Sequence, residues 1–226
     1  ESCDHLKKKI TIPVIIAASI FTIAIVSFSP SDAQAEYGEY AIPEITGSIA
    51  VDGDYSGLEK ISLSDAMSLA ENSVDDSNAM WGKLQVIQGY LVYKVGLLSN
   101  DDIYYKIIID AGDSSVLYVS DGKSKDSWKH SDKSGKWKDH YANLTPEERE
   151  LKKQQWGEVK EAFFALTIDE RAKMIMHFMS MKVQWESLSD EERDAKKLEM
   201  KQMMQELLPL SVEEKTEKLR EYIQSL

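Results

Sequence analysis

Two methionines and one histidine in the C-terminal half have the spacing of a soft metal site. Met174, His177 and Met181 stand at positions i, i+3 and i+7, which share one face of a helix. Thioether sulfur and imidazole nitrogen are ligands that suit Cu(I). These three residues are therefore the candidate metal ligands. Copper is the alternative to having no cofactor at all.

Methionine has other uses, and the surrounding sequence is rich in it. Met176 and Met179 point to other sides of the same helix, and Met200, Met203 and Met204 follow. Methionine commonly fills irregular cores and adaptable binding grooves. Three interpretations stay open: packing in a core or against a partner, which is the commoner use, a Cu(I) site, and a groove for substrates.

No other residues form a pattern typical of an enzyme. The sequence contains no nucleophile–base pair, phosphate loop, HExxH motif or glycine fingerprint. Asp110 stands in a turn without a second acid or base at a useful spacing. His130 and His140 lie ten residues apart in a polar stretch, which is weak evidence for a metal. We therefore predict a non-catalytic protein.

Cysteine content and charge exclude further classes. The single cysteine, Cys3, precedes the main body, which can form no internal disulfide and no thiolate metal site. The net charge of -12 argues against a nucleic-acid partner, because such proteins cluster Lys and Arg on one face.

A membrane-insertion signal stands near the N-terminus. Residues 10–28 carry no charge, lysines precede them, and acids follow them. The positive-inside rule then places the N-terminus in the cytoplasm and the rest of the chain outside. Ala33-Gln34-Ala35 fits a signal-peptidase site, although an apolar run of 19 residues is longer than the usual h-region. A retained anchor over 1–35 and secretion after cleavage behind Ala35 both stay open.

The next segments predict a linker and an α+β domain. Residues 36–58 are rich in Gly and polar residues and are interpreted as an extended linker. Residues 62–70 have the apolar spacing of a short amphipathic helix. Four β-branched and aromatic runs follow at 83–87, 90–97, 103–110 and 116–119. We predict one helix packed on an antiparallel sheet over residues 59–121.

This stretch resembles the PepSY domain family. The resemblance rests on short motifs along the helix, the central hairpin and the following turn: Ser64-Asp65-Ala66 with Leu69-Ala70, Gly89-Tyr90, Tyr93-Lys94-Val95, and Ile109-Asp110-Ala111 with Val116-Leu117. Where the family commonly has Thr-Gly in the turn, this chain has Ser114-Ser115. The resemblance implies an extracytoplasmic or membrane-associated binding or inhibitory module without catalytic residues.

A polar linker over 122–143 precedes the strongest pattern of the sequence, a fourfold repeat with a period of 22 residues over 144–226. Each copy opens with Leu and a capping box, whose candidate caps are Thr145, Thr167, Ser189 and Ser211. We predict helices of about 17 residues in a helical hairpin array or a four-helix bundle. Because the junction Ala165-Leu166-Thr167 contains neither Gly nor Pro, fusion of two repeats into one helix stays open.

The Leu-Thr openings resemble those of Spy-like and CpxP-like stress chaperones, although helix capping alone accounts for them. From these features we expect a membrane-anchored, extracytoplasmic binding or accessory protein with a protein partner, such as a subunit of a membrane complex. The alternative is a Cu(I)-handling or Spy-like chaperone that works through the methionine-rich helices.

Overall fold

A computed structural model describes residues 42–124 and 144–226; the apolar run, His130 and His140 lie outside them. The first stretch, the sheet unit, contains α1 (Leu63–Glu71), β1 (Ser77–Ile87), β2 (Tyr90–Ser99), β3 (Ile103–Asp110), β4 (Val116–Val119) and β5 (Lys123–Ser124). The second stretch, the helical unit, contains α2 (Pro146–Phe164), α3 (Ile168–Trp185), α4 (Asp190–Leu207) and α5 (Val212–Ser225). The prediction of an α+β region followed by a helical region is confirmed.

The sheet is antiparallel, with the strand order β1-β2-β3-β4 and with β5 paired to β3. A two-residue turn joins β1 to β2, and both of its residues, Gln88 and Gly89, have positive φ angles of 50° and 84°. This is the type I′ geometry that suits the twist of a hairpin. β1 begins six residues earlier than the sequence predicts, because small and polar residues and a bulge beside Ala79 interrupt the alternation there.

Helix α1 covers one face of the sheet. Its apolar side packs on buried side chains of β1, β2 and β3, and a tyrosine hydroxyl is hydrogen-bonded to the loop before the helix. The Tyr93 hydroxyl donates to the carbonyl of Ile61 at 3.0 Å. Burial, with the negative charges of Glu59 and Asp65, raises the pKa of Tyr93 to about 12. Tyr93 therefore acts as a neutral packing residue. Tyr104 is buried as well.

The segment before α1 packs on the sheet, unlike the extended linker that its composition suggests. Asp110 is fully buried, and its carboxylate accepts hydrogen bonds from the Ser48 hydroxyl at 2.6 Å and the Gly112 N–H at 2.6 Å. Burial alone would raise the pKa of Asp110, but hydrogen bonds from Ser48, Asp113 and Gly112 hold it below its usual value. This carboxylate ties the segment to the β3–β4 turn.

The four repeats form four separate helices. In each one the Ser or Thr hydroxyl at the N-cap accepts from the N–H of a Glu three residues on, and that Glu accepts from the N-cap N–H. At the junction that lacks Gly and Pro, α2 ends at Phe164 and α3 restarts behind Thr167. A capping box is therefore enough to separate the two helices here.

The helical unit has its own apolar core. Side chains from all four helices meet there: Ala162, Met174, Phe178, Met204, Leu207, Leu219 and Ile223. The charge of the fully buried Lys215 is balanced by Glu158 at the edge of this core. Its Nζ lies 2.7 Å from the Glu158 carboxylate and also donates to the Leu210 carbonyl. The hydrogen bonds from Lys215 and Gln154 lower the pKa of Glu158.

The caps yield a stability prediction. Thr145→Ala, Thr167→Ala, Ser189→Ala and Ser211→Ala should each lower the free energy of unfolding by about 0.5 to 2 kcal/mol, since each removes an acceptor for a backbone N–H at a helix start. Denaturant unfolding measures the change. Ser180→Ala, at an exposed position within α3, is the control and should cost no stability. Cap variants as stable as this control would contradict the prediction.

Candidate functional site

Helix α3 belongs to both cores. Ala172 and Ile175 on one side join the core between α1 and the sheet, whereas Met174 and Phe178 on the other side join the core of the helical unit. A helix that is apolar on two sides must be covered on two sides. α3 is therefore the element through which the sheet unit and the helical unit meet.

A buried ion pair fixes this junction. Nη1 of Arg171 in α3 lies 2.6 Å from Oε1 of Glu71 at the end of α1, and only 4% and 17% of the two side chains are exposed. The same Nη1 donates to the Ala79 carbonyl at 3.0 Å, and the same Oε1 accepts from the Ala79 N–H at 2.6 Å. We call this arrangement of Glu71, Arg171 and Ala79 the clamp.

The clamp provides hydrogen-bond partners for backbone groups at the edge of the sheet. Ala79 lies in β1, which among the described residues has a neighbouring strand on one side only. Its outward N–H and C=O meet a carboxylate and a guanidinium, which occupy the places that a neighbouring strand's carbonyl and amide would take. Further polar contacts join the units: the Ser64 hydroxyl donates to Asp169, and Lys160 lies 3.2 Å from Asp102 in the β2–β3 turn.

The clamp should contribute strongly to stability. Glu71→Gln should lower the free energy of unfolding by about 3 kcal/mol, because it leaves the buried Arg171 without a counter-charge. Asp102→Asn, which breaks the exposed pair with Lys160, should change it by less than about 1 kcal/mol. Chemical denaturation of both variants gives the comparison. Equal effects would show that the clamp is no stronger than a surface ion pair.

The side of α3 that packs on the sheet unit continues past the junction, and there it is exposed to solvent. Met179 is partly buried against the first core, but Met176 and Val183 are 50% and 79% exposed. Between Ala172 and Trp185 the only charged residues are Lys173 and Lys182. We call Met176, Met179 and Val183 the α3 stripe. It is an apolar surface beside positive charge in an acidic chain.

The candidate copper ligands lie on the opposite side of α3, toward the second core. Met174 is 1% exposed and Met181 packs against the same cluster. His177 Nε2 lies 3.0 Å from the hydroxyl oxygen of Tyr222 in α5, and the two rings meet edge to face. The structure thus brings the three residues to one side of the helix, where the methionines pack and the imidazole pairs with a tyrosine.

His177 should make the helical unit sensitive to acid. Burial and the nearby Lys196 lower the pKa of His177, and Glu199 opposes them only in part. Since the folded pKa lies below the unfolded value of about 6.5, the unfolded chain binds the proton more readily as pH falls. The stability contributed by neutral His177 is therefore complete above that value and is lost as pH falls through the folded pKa.

The melting temperature measured between about pH 7.5 and pH 5 tests this sign. The wild-type chain should lose more thermal stability on acidification than His177→Gln, whose side chain does not titrate. Parallel loss in both proteins would contradict the assignment, since Lys196, Glu199 and Tyr222 are the same in each.

Two further features bear on the site. In the part of the chain that the structure describes, no three His, Cys, Asp or Glu side chains come together as metal ligands. Neither described stretch contains a helix with the length and apolarity needed to cross a membrane.

Comparison with known proteins gives no match: no family model, no curated protein and no solved structure resembles this chain significantly. The resemblance to PepSY domains therefore rests on the sequence motifs alone.

Sequence reasoning missed the clamp. Arg171 stands four positions after the cap of its repeat, where the other repeats have Arg149, Arg193 and Lys215, so its pattern is that of a helix surface. The sequence does contain one indication of this junction. The helix that carries Arg171 has apolar residues on two sides, which is typical of a helix packed between two partners.

Proposed function

We propose that this chain is a non-catalytic, extracytoplasmic binding protein, held at the membrane by residues 10–28, which presents its helical unit to a protein partner. An accessory subunit of a membrane complex is the role that fits best. The α3 stripe carries this proposal, because it leaves flexible apolar side chains in solvent next to a rigid junction.

The path of the chain supports the tether. Residues 43–45 lie beside the β1–β2 hairpin. There the Ile45 N–H donates to Gln88 Oε1, and Gln88 Nε2 donates to the Pro43 carbonyl. The helical unit contacts the sheet toward its other end, at Ala79 and Asp102. From Ala79 to the hairpin, β1 extends roughly 26 Å at 3.3 Å per residue. An anchor before residue 42 therefore joins the end of the sheet opposite the helical unit.

The chemistry of the stripe indicates the kind of partner. Met176 and Val183 favour an apolar surface, and Lys173 and Lys182 favour acidic residues at its margin. The partner that fits is an amphipathic, acidic helix of another extracytoplasmic protein, which would lie along α3. Copper handling fits the geometry less well, because Met174 is buried in the core and His177 Nε2 is engaged by Tyr222.

Affinity purification of the tagged full chain from its native membranes tests the proposal. Met176→Glu with Val183→Glu should reduce recovery of a stoichiometric partner at least about tenfold, since two buried charges oppose apolar docking. Gln184→Glu adds a charge at an exposed neighbouring position of α3 and is the matched control; it should retain the partner. Circular dichroism should show unchanged helix content in both variants.

Three outcomes would contradict parts of the proposal. Retention of the partner by the double variant would exclude the stripe as its binding surface. Recovery of many unrelated proteins instead of one would favour the chaperone. Protease added outside intact cells or spheroplasts should digest the body of the chain, and a body protected until lysis would reverse the assigned topology.

A further inference from the structure

In the part of the chain that the structure describes, β1 is an edge strand, and the hairpin defines which of its backbone groups point outward. In a two-residue type I′ hairpin, Ile87 and Tyr90 exchange hydrogen bonds. The next pair is Val86 and Leu91, and Leu91 directs its N–H to the Ile49 carbonyl and accepts from the Ala111 N–H on the side away from β1. Val86 therefore directs its own N–H and C=O away from β2.

The same alternation applies along the strand. Leu84 is paired with Tyr93, two residues from the Val86–Leu91 pair, and directs its backbone groups outward as well. Farther along, the bulge shifts the pattern to Ala79, whose outward groups are the ones that the clamp satisfies. The position of the clamp thus agrees with the geometry inferred from the hairpin.

From Leu84 onward, residues 42–124 and 144–226 provide no such cover for the edge. Within the described ranges, no backbone or side-chain group bonds to the outward N–H or C=O of Leu84 or Val86. Gly82, by contrast, is buried, and a Cβ there would collide with Leu63 of α1. The uncovered backbone groups are therefore those of Leu84 and Val86, which lie within the stretch 83–87 between the clamp and the hairpin turn.

We propose that β1 pairs antiparallel with β1 of a second copy of the chain, with the two Gln85 residues opposite each other at the twofold axis. In this register Leu84 of one copy exchanges two hydrogen bonds with Val86 of the other, which makes four bonds in all. Lys83 lies opposite Ile87, so no like charges meet. A neutral amide meets a neutral amide at the centre.

This register also avoids the helices. Residue 82 of one copy would lie opposite residue 88 of the other, where the strand ends in the turn. Pairing therefore stops before it reaches the junction between α3 and Ala79. A register centred on Leu84 would bring Gly82 into the ladder, but Gly82 is buried. The second copy is preferred over an unrelated extended peptide because the stretch 83–87 is complementary to itself.

Disulfide crosslinking of the full-length chain in its native membranes tests the pairing, since capture detects an interface of only five residues per copy. In a Cys3→Ser background, Gln85→Cys places two thiols in a non-hydrogen-bonded pair, with Cα atoms about 4.5 Å apart and within disulfide range. Lys83→Cys is the matched control, because its two copies would be four residues or about 13 Å apart. Mild oxidation should give at least tenfold more homodimer from Gln85→Cys.

A second variant tests the hydrogen bonds. Val86→Pro, added to Gln85→Cys, removes an outward N–H that the sheet itself does not use, and proline is tolerated at such edge positions. Crosslinking should fall about tenfold while the circular dichroism spectrum stays unchanged. Equal crosslinking of Gln85→Cys and Lys83→Cys, no homodimer from either, or a crosslink from Gln85→Cys to a different protein would each overturn the proposal.

Discussion

The side chain of Arg171 is almost fully withdrawn from water, and the arrangement of the two units depends on how its charge is satisfied. A buried guanidinium needs a counter-charge and acceptors, and Glu71 and the Ala79 carbonyl provide them. Because Glu71 also accepts from the Ala79 N–H, one ion pair serves both the charge and the edge of the sheet. It aligns α3 with β1 and places Ala172 and Ile175 against the first core.

One repeat sequence supports three different contacts through the basic residue four positions after the cap. Arg193 donates to the Trp185 and Glu186 carbonyls at the end of the preceding helix, where a positive charge suits the helix dipole. Lys215 bonds to the Leu210 carbonyl and to Glu158. Arg171 alone among these three reaches the sheet unit. The repeats are therefore alike in how their helices start and unlike in what the helices join.

Much of this architecture follows from local sequence rules. Alternating β-branched residues predict β2, β3 and β4, and the capping boxes predict where the four helices begin, because both patterns depend on near neighbours in the chain. The packing of residues 45–51 could not be predicted, since it depends on donors from Ser48 reaching Asp110, 62 residues away. The clamp could not be predicted for the same reason, because Glu71 and Arg171 are 100 residues apart in the sequence.

The candidate site divides in the same way. Helical spacing correctly separates Met174, His177 and Met181 from Met176 and Met179, because it depends only on the 3.6-residue period. It cannot tell which of the two sides is buried, since that depends on where the sheet unit docks. The structure places the first group toward the second core and leaves the α3 stripe partly in solvent, so the exposure of the stripe follows from the junction.

The clamp should make the sheet unit and the helical unit one cooperative body, and native-state hydrogen exchange measures whether they open together. The amides of β2, β3 and α3 should open with the same free energy, and Ala79 should be protected to a similar degree, because its N–H is bound by Glu71. Exchange of α3 at a free energy well below that of β2 and β3, with Ala79 unprotected, would show instead that the two units unfold separately and that the clamp does not couple them.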